Sequence, residues 1–489
     1  MLFNSHIFML LFLPLLLAGW YFLNWKKKFQ LAQGYLIGMS LWFYAYANLQ
    51  YLWLLLFSCL IGWLLSCLPE KIFSEKGKKV LTGVGCVFHL GLLGYFKYSN
   101  FFLENLNTVF HTDFPMLQIL LPVGISFYTF QQLAYLIDRC RGDAPRDSFF
   151  DYLTFMVYFP QLLQGPILLR SEFMGQLKEP ERRRFHAERF SEGIQFFVFG
   201  LAKKVLLADT LAKAVNYGYS NVSMLDSISA LLLAVGYLTE LYFDFSGYCD
   251  MAVGLGKMIG LEVAENFDAP FHSASVKEFW RRWHMTLGRF FTRYVYIPLG
   301  GNRRGKMRTL CNVMIVMLLS GLWHGAAWTF VLWGFLHGVG MIWDNLEHPH
   351  LPKKWMRQAA TFAYVCMTFV FFRAESIAQG FDVLKSIVSL KWNGFVFQMA
   401  SALDMTEFYM ITKALSMKLP GLLSWFWLGI FVVLIAICFR VLSGEKVSGV
   451  VALQRQKGYS RLYPVLLAVL FTWSMISMTG VSEYLYFSF

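Results

Sequence analysis

His324 stands in SGLWHGAAW, residues 320–328, inside a long apolar run. Ionisable groups within a membrane are expensive to keep, so each one found there is a functional candidate. A neutral imidazole takes a proton from a hydroxyl near neutral pH, which is general-base chemistry. Gly321 and Gly325 flank His324, and small residues let another helix or a substrate approach the backbone. Trp323, Trp328 and Trp333 lie nearby. The plain alternative is a buried histidine bonded to a backbone carbonyl. His337, thirteen residues further on in WGFLHG, reads better as helix packing.

His284 belongs to FWRRWHMTLGRFFTRYVYIPLGG. Phe279, Trp280, Trp283, Leu287, Phe290 and Phe291 alternate there with Arg281, Arg282, Arg289 and Arg293. The pattern predicts an amphipathic helix at the cytoplasmic interface. Arginines at helical spacing also suit an anionic group such as a nucleotide phosphate. Asp244, Asp250, Glu265, Asn266 and Asp268 cluster around YFDFSGYCDMAVGLG and ENFDAPF. Adjacent carboxylates can form an ion site, but pairing with the nearby arginines is the preferred reading, for Glu240 as well. No metal site is assigned.

The elements that must carry these residues follow from composition. The chain has 489 residues, of which 57% are hydrophobic, 18% aromatic and 15% charged. Soluble chains carry roughly 25% charged residues, so the class is a polytopic membrane protein. Its spans must be helical, because lipid offers the backbone no hydrogen-bond partner. The alternation of a barrel strand is absent. Apolar runs fall near 7–24, 31–48, 51–68, 80–96, 116–137, 149–169, 190–208, 227–245, 309–343, 356–372, 421–439 and 463–480. Each is long enough for a helix across or into the bilayer. The first is followed by Lys26, Lys27 and Lys28 rather than by small residues, so it reads as an attached span and not a signal peptide.

The net charge of +13 belongs to cytoplasmic loops rather than to nucleic-acid binding. Residues 29–70 lack Lys and Arg and suit two spans joined by a short outer turn. The basic stretches 26–28, 71–79, 139–146 and 277–308 then face the cytoplasm, with the N-terminus outside. In 149–170, FFDYLTFMVYFPQLLQGPILLR, Pro160, Gly165 and Pro166 predict a broken segment, tolerated at membrane depth only when packed in protein or facing water. Motifs of soluble enzymes are missing: no Walker A loop, no HExxH, no GxSxG. GLGKMIG at 254–260 is one residue too long for a dinucleotide fingerprint. The eight cysteines sit singly with no CxxC, which argues against disulfide frameworks and thiolate zinc sites.

Taken together, three strings carry a resemblance: YFDFSGYCDMAVGLGKMIGLEVAENFDAPF, EFWRRWHMTLGRFFTRYVYIPLGGNRRG and SGLWHGAAWTFVLWGFLHG. With MLFNSHIFMLLFLPL, YFKYSNFF, LPVGISFYTFQQLAYLIDRCRG and YFPQLLQGPILLR, in that order, they resemble the membrane-bound O-acyltransferase family, and within it the bacterial polysaccharide O-acetyltransferase branch. The resemblance covers residues 1–345 and fades to hydropathy beyond about 375. The branch that transfers D-alanyl groups to teichoic acid shares the histidines but matches less well around LPVGISFYTFQ.

The resemblance implies one all-α integral membrane domain over 1–489. Its motif-bearing core is 116–345, its C-terminal helices 356–480, and it has about 10–12 membrane-embedded helices with broken or re-entrant segments around a central funnel. It implies acyl transfer, with acetyl the expected group, from a cytoplasmic thioester such as acetyl-CoA towards an extracytoplasmic hydroxyl. No bound cofactor is expected. The family's essential histidine falls on His324 and its second active-site histidine on His284, which would supply an oxyanion donor or orient the thioester. Donor and substrate contacts are expected at Arg281, Arg282, Trp283, Arg289, Trp323, Asp244 and Asn266. The implied setting is the bacterial inner membrane, among lipid and without nucleic acid. Because no catalytic serine motif appears, a separate extracytoplasmic partner protein is expected to finish the modification of an exported polysaccharide. Two other classes stay open on the residues alone: a transporter or flippase with a histidine proton relay, and a scaffold subunit.

Overall fold

A computed structural model describes residues 1–67, 75–346, 352–442, 444, 446–457, 462–478 and 484–485. Most described residues are helical, and no strand occurs among them. Among the described residues, six helices are long and apolar enough to cross a membrane: Phe8–Trp25, Leu49–Cys67, Lys76–Phe110, Ser227–Ile259, Lys306–His324 and Pro420–Leu442. Trp328–Trp343 and Leu462–Ser477 are shorter apolar helices. The chain is an all-α, multi-pass membrane protein. Residues 71–74 of the expected basic loop lie outside the described residues.

The chain divides into two compact units. The first comprises Met1–Val198, Tyr248–Asn266 and Thr286–Leu299. In it, Phe29–Cys67 is one continuous helix of 39 residues, not two spans with an outer turn. Leu49 and Gln50, between the two expected runs, include no glycine or proline to interrupt the hydrogen-bond ladder. The expected helix over 116–137 also starts late, at Ile125. Gly124 precedes it with φ +79, and a Cβ there would collide with the Leu162 carbonyl oxygen.

The broken segment is found where the prolines and glycine predict it. Ser148 caps Phe149–Val157 by accepting from the Asp151 N–H, Phe159–Leu162 is a single turn, and residues 163–169 are irregular. Leu162, Leu163, Gln164, Ile167 and Leu168 are all buried, so this backbone is packed in protein. Side chains replace the lost ladder: Gln161 Nε2 donates to the Phe155 carbonyl at 2.7 Å, and Ile167 N–H donates to Thr286 Oγ1 at 3.0 Å.

The second unit comprises Phe199–Gly247, Phe267–Met285 and Gly300–Phe489. Its centre is a hairpin of Lys306–His324 and Trp328–Trp343, broken at Gly325–Ala327. The run 309–343 is therefore two helices. A Cβ on Gly321 would strike the Phe330 carbonyl, and one on Gly334 would strike that of Met317. These glycines let the two helices touch backbone to backbone, as their small size suggests.

The arginine-rich stretch is not one amphipathic helix. Ser275 and Glu278 close the helix start: Glu278 N–H donates to the N-cap Ser275 Oγ at 3.1 Å, and Ala274 N–H, one residue earlier, donates to Glu278 Oε2 at 2.9 Å. They start Val276–Arg282, which stops at Trp283, and Met285–Phe291 follows. Between them His284 has φ +45. Histidine is among the residues that tolerate this left-handed region. The break turns His284 inward, and it is buried.

Candidate active site

The second unit gathers both expected histidines around aromatic rings. His324 is the last residue of its helix, and it is buried. Its ring lies 5.0 Å from that of Trp323, 5.2 Å from Trp333 and 5.2 Å from Phe372, centroid to centroid. His284 packs edge-to-face on Phe245 at 4.8 Å and lies 6.1 Å from Trp323. Trp323 therefore contacts both histidines. Burial pulls the His284 imidazole down to about 3, so it is neutral at physiological pH. A neutral ring offers one N–H donor and one lone pair.

His337 packs as its place in the helix suggests. Trp280 Nε1–H donates to His337 Nδ1 at 3.2 Å. The Thr368 hydroxyl gives its proton to the Val365 carbonyl at 2.8 Å. The 3.0 Å contact between Thr368 Oγ1 and His337 Nε2 is then a bond donated by His337. Both ring nitrogens are occupied, and the tautomer carries its proton on Nε2.

Beside this aromatic cluster is a polar cavity of about 730 Å³. Phe330 and Phe372 form part of its wall, with Thr329, Asn216, Arg373, Lys204, Asp209, Glu240 and Asp244. Lys204 Nζ lies 2.6 Å from Asp244 and 2.7 Å from Asp209. Asp244 thus pairs with a lysine, and not with the arginines the sequence suggested. Asp268 likewise meets Lys446, at 2.7 Å. Glu240 is buried, and its Oε2 has no hydrogen-bond partner. Tyr484 and Leu485 also reach this place: Leu485 N–H donates to Asp244 at 3.1 Å, and Lys204 lies 4.7 Å over the Tyr484 ring.

Lys204 was missed in the sequence, although two lysines in FFVFGLAKKVLLADT are the same signal that singled out His324.

The other expected contacts disperse. Trp283 is buried, stacked on Phe279 at 5.3 Å. Arg282 donates to Glu278 at 2.8 and 3.1 Å and to the Asp268 carbonyl at 3.3 Å. Arg281 is exposed. Within the first unit, Arg289 binds Glu172 through both terminal nitrogens and the Ile167 carbonyl at 3.0 Å. Asn266, also there, is buried and accepts from the Thr286 N–H at 3.1 Å and its hydroxyl at 3.0 Å. These contacts brace the broken segment.

Residues 141–380 match the membrane-bound O-acyltransferase family. The chain is 35% identical to the peptidoglycan O-acetyltransferase of Helicobacter pylori, covering 80% of each chain. It is 39% identical to the probable alginate O-acetylase AlgI of Azotobacter vinelandii, over 77% of this chain and 76% of that one. Similarity to the teichoic acid D-alanyltransferase of Bacillus subtilis is lower, 28% over 52% of this chain and 69% of the other. The helical membrane architecture, the matched core and this likeness over four-fifths of its length show that the chain is an acyltransferase belonging to the membrane-bound O-acyltransferase family.

Proposed function

We propose that this enzyme moves an acetyl group from a cytoplasmic thioester, acetyl-CoA or a related donor, to a hydroxyl at the extracytoplasmic face, for O-acetylation of an exported polysaccharide. The observation that carries this reading is His324, buried at a glycine-broken helix end and one ring away from a polar cavity. His324 accepts the proton of the attacking hydroxyl and later returns it to the leaving thiolate. Neutral His284, joined to the site through Trp323, orients the thioester. Lys204, Asp244 and Glu240 give the cavity polar groups suited to a hydroxyl-bearing acceptor. The relatives with higher identity are named for acetylation and the D-alanyl relative is more distant, which favours acetyl.

The enzyme sits in the inner membrane of a bacterium, and a separate extracytoplasmic protein carries the group on to the polymer. The transporter and scaffold readings lose ground to family membership. The test is acetyl-CoA turnover by the purified chain in detergent, with no ion gradient. His324→Ala should lower kcat by about 10²-fold or more, the contribution of a positioned general base. Turnover unchanged in that variant would remove His324 from the reaction.

A further inference from the structure

Acyl transfer needs one more group: a hydrogen-bond donor for the carbonyl oxygen as it becomes negative. Trp333 is placed to be that donor. It is completely buried, and its indole N–H has no hydrogen-bond partner in the structure. Indole nitrogen only donates, and buried donors are rarely left unmade without a reason. The Trp333 ring meets His324 edge-to-face, 87° between planes, and lies 5.0 Å from Phe372 in the cavity wall. His324, Trp333 and Phe372 are therefore mutual neighbours, and a carbonyl held at His324 lies next to Trp333.

The indole is also held still. His337 packs against it at 4.7 Å, Phe369 at 5.5 Å and Trp280 at 5.6 Å. His337 cannot accept from it, because its Nδ1 lone pair is taken by Trp280 and its Nε2 carries the proton given to Thr368. A rigid, dry, unpaired donor beside a general base is what oxyanion stabilisation requires, since no reorganisation is needed at the moment of reaction.

We propose that the Trp333 indole N–H donates to the thioester carbonyl oxygen and stabilises the oxyanion formed at His324. This rests on the acyl-transfer reading above and supplies its missing donor. The acceptor oxygen bonds to the carbonyl carbon while its proton passes to His324. The carbonyl π electrons move onto oxygen, where Trp333 holds them. On collapse the C–S bond breaks, the sulfur leaves with the electron pair, and His324 returns the proton to it. His284 is less suited to the task, because its ring meets Trp323, whereas Trp333 packs directly on His324.

The test replaces Trp333 with 3-benzothienylalanine, in which sulfur stands for the N–H at nearly the same volume. Trp333→Phe is the simpler companion, but the space it leaves in the cluster also lowers stability, so the isostere decides. The full chain in detergent is assayed with acetyl-CoA. The expected result is a kcat lower by about 10²–10³-fold, the usual effect of losing one oxyanion donor, with the KM for acetyl-CoA within about twofold. Turnover that depends on His324 but survives in the benzothienyl enzyme overturns the assignment of Trp333 alone. A wild-type enzyme with no His324-dependent turnover overturns the acyl-transfer reading, and this inference with it.

Discussion

His284 shows how backbone and chemistry are joined at a single residue. Its φ of +45 places it in a region that most side chains avoid, and strain of this kind collects at functional sites. The same turn buries the imidazole and lowers it to about 3 from an ordinary value of 6.5. The unfolded chain therefore binds a proton here between about pH 6.5 and 3 that the folded chain refuses. Stability should be fully present above 6.5 and fall on acidification through that window, by at most about 1.4 kcal/mol per pH unit. His284→Asn keeps a residue that tolerates the left-handed region and removes the titration. Its Tm in detergent should fall less steeply than that of the wild type from pH 6 to pH 4. Parallel Tm curves would mean that His284 stays out of the titration. Residue type singled out His324 and His284 in the sequence as candidates. Trp333 was not, because an unpaired indole donor is visible only once its neighbours are known.

At the scale of elements, local punctuation was the reliable guide. Pro160 and Gly165 marked the broken segment, and Gly321 marked the close helix contact. Errors came where periodicity continued across a boundary with no breaker, or a boundary came without one. Phe29–Cys67 runs through polar Asn48 and Gln50, and the amphipathic stretch stops at Trp283 without glycine or proline. Tertiary contacts decide such places, here the burial of Trp283 and His284. Because Gly321 faces the Phe330 carbonyl, Gly321→Val has no room in the hairpin. Overpacking should destabilise the protein by about 1–3 kcal/mol and lower turnover by moving His324, three residues further along the same helix. A variant with wild-type Tm and activity would show that the hairpin can spread without disturbing the site.

For the whole molecule, composition identified a helical membrane protein, and charge placement predicts its orientation. The cluster from Lys277 to Arg308 is expected in the cytoplasm, and the segment 215–225, which spans the end of helix Asp209–Ser220 and the turn Val222–Met224, outside. Arg304 and Ser223 are exposed. In a cysteine-free background, Ser223→Cys should react with a membrane-impermeant maleimide on intact cells, and Arg304→Cys only after permeabilisation. The reverse pattern would invert the direction of transfer. How the chain divides into units was not legible, since each unit is assembled from three separate stretches of sequence.

The role proposed for His324 is to carry acyl transfer to an exported polymer. Its most direct test is ester-linked acetyl on the cell's exported polysaccharide, compared between wild type and His324→Ala at matched membrane expression. The acetyl ester should be lost in the variant. Acetylation at the wild-type level would contradict it and leave His324 a packing residue.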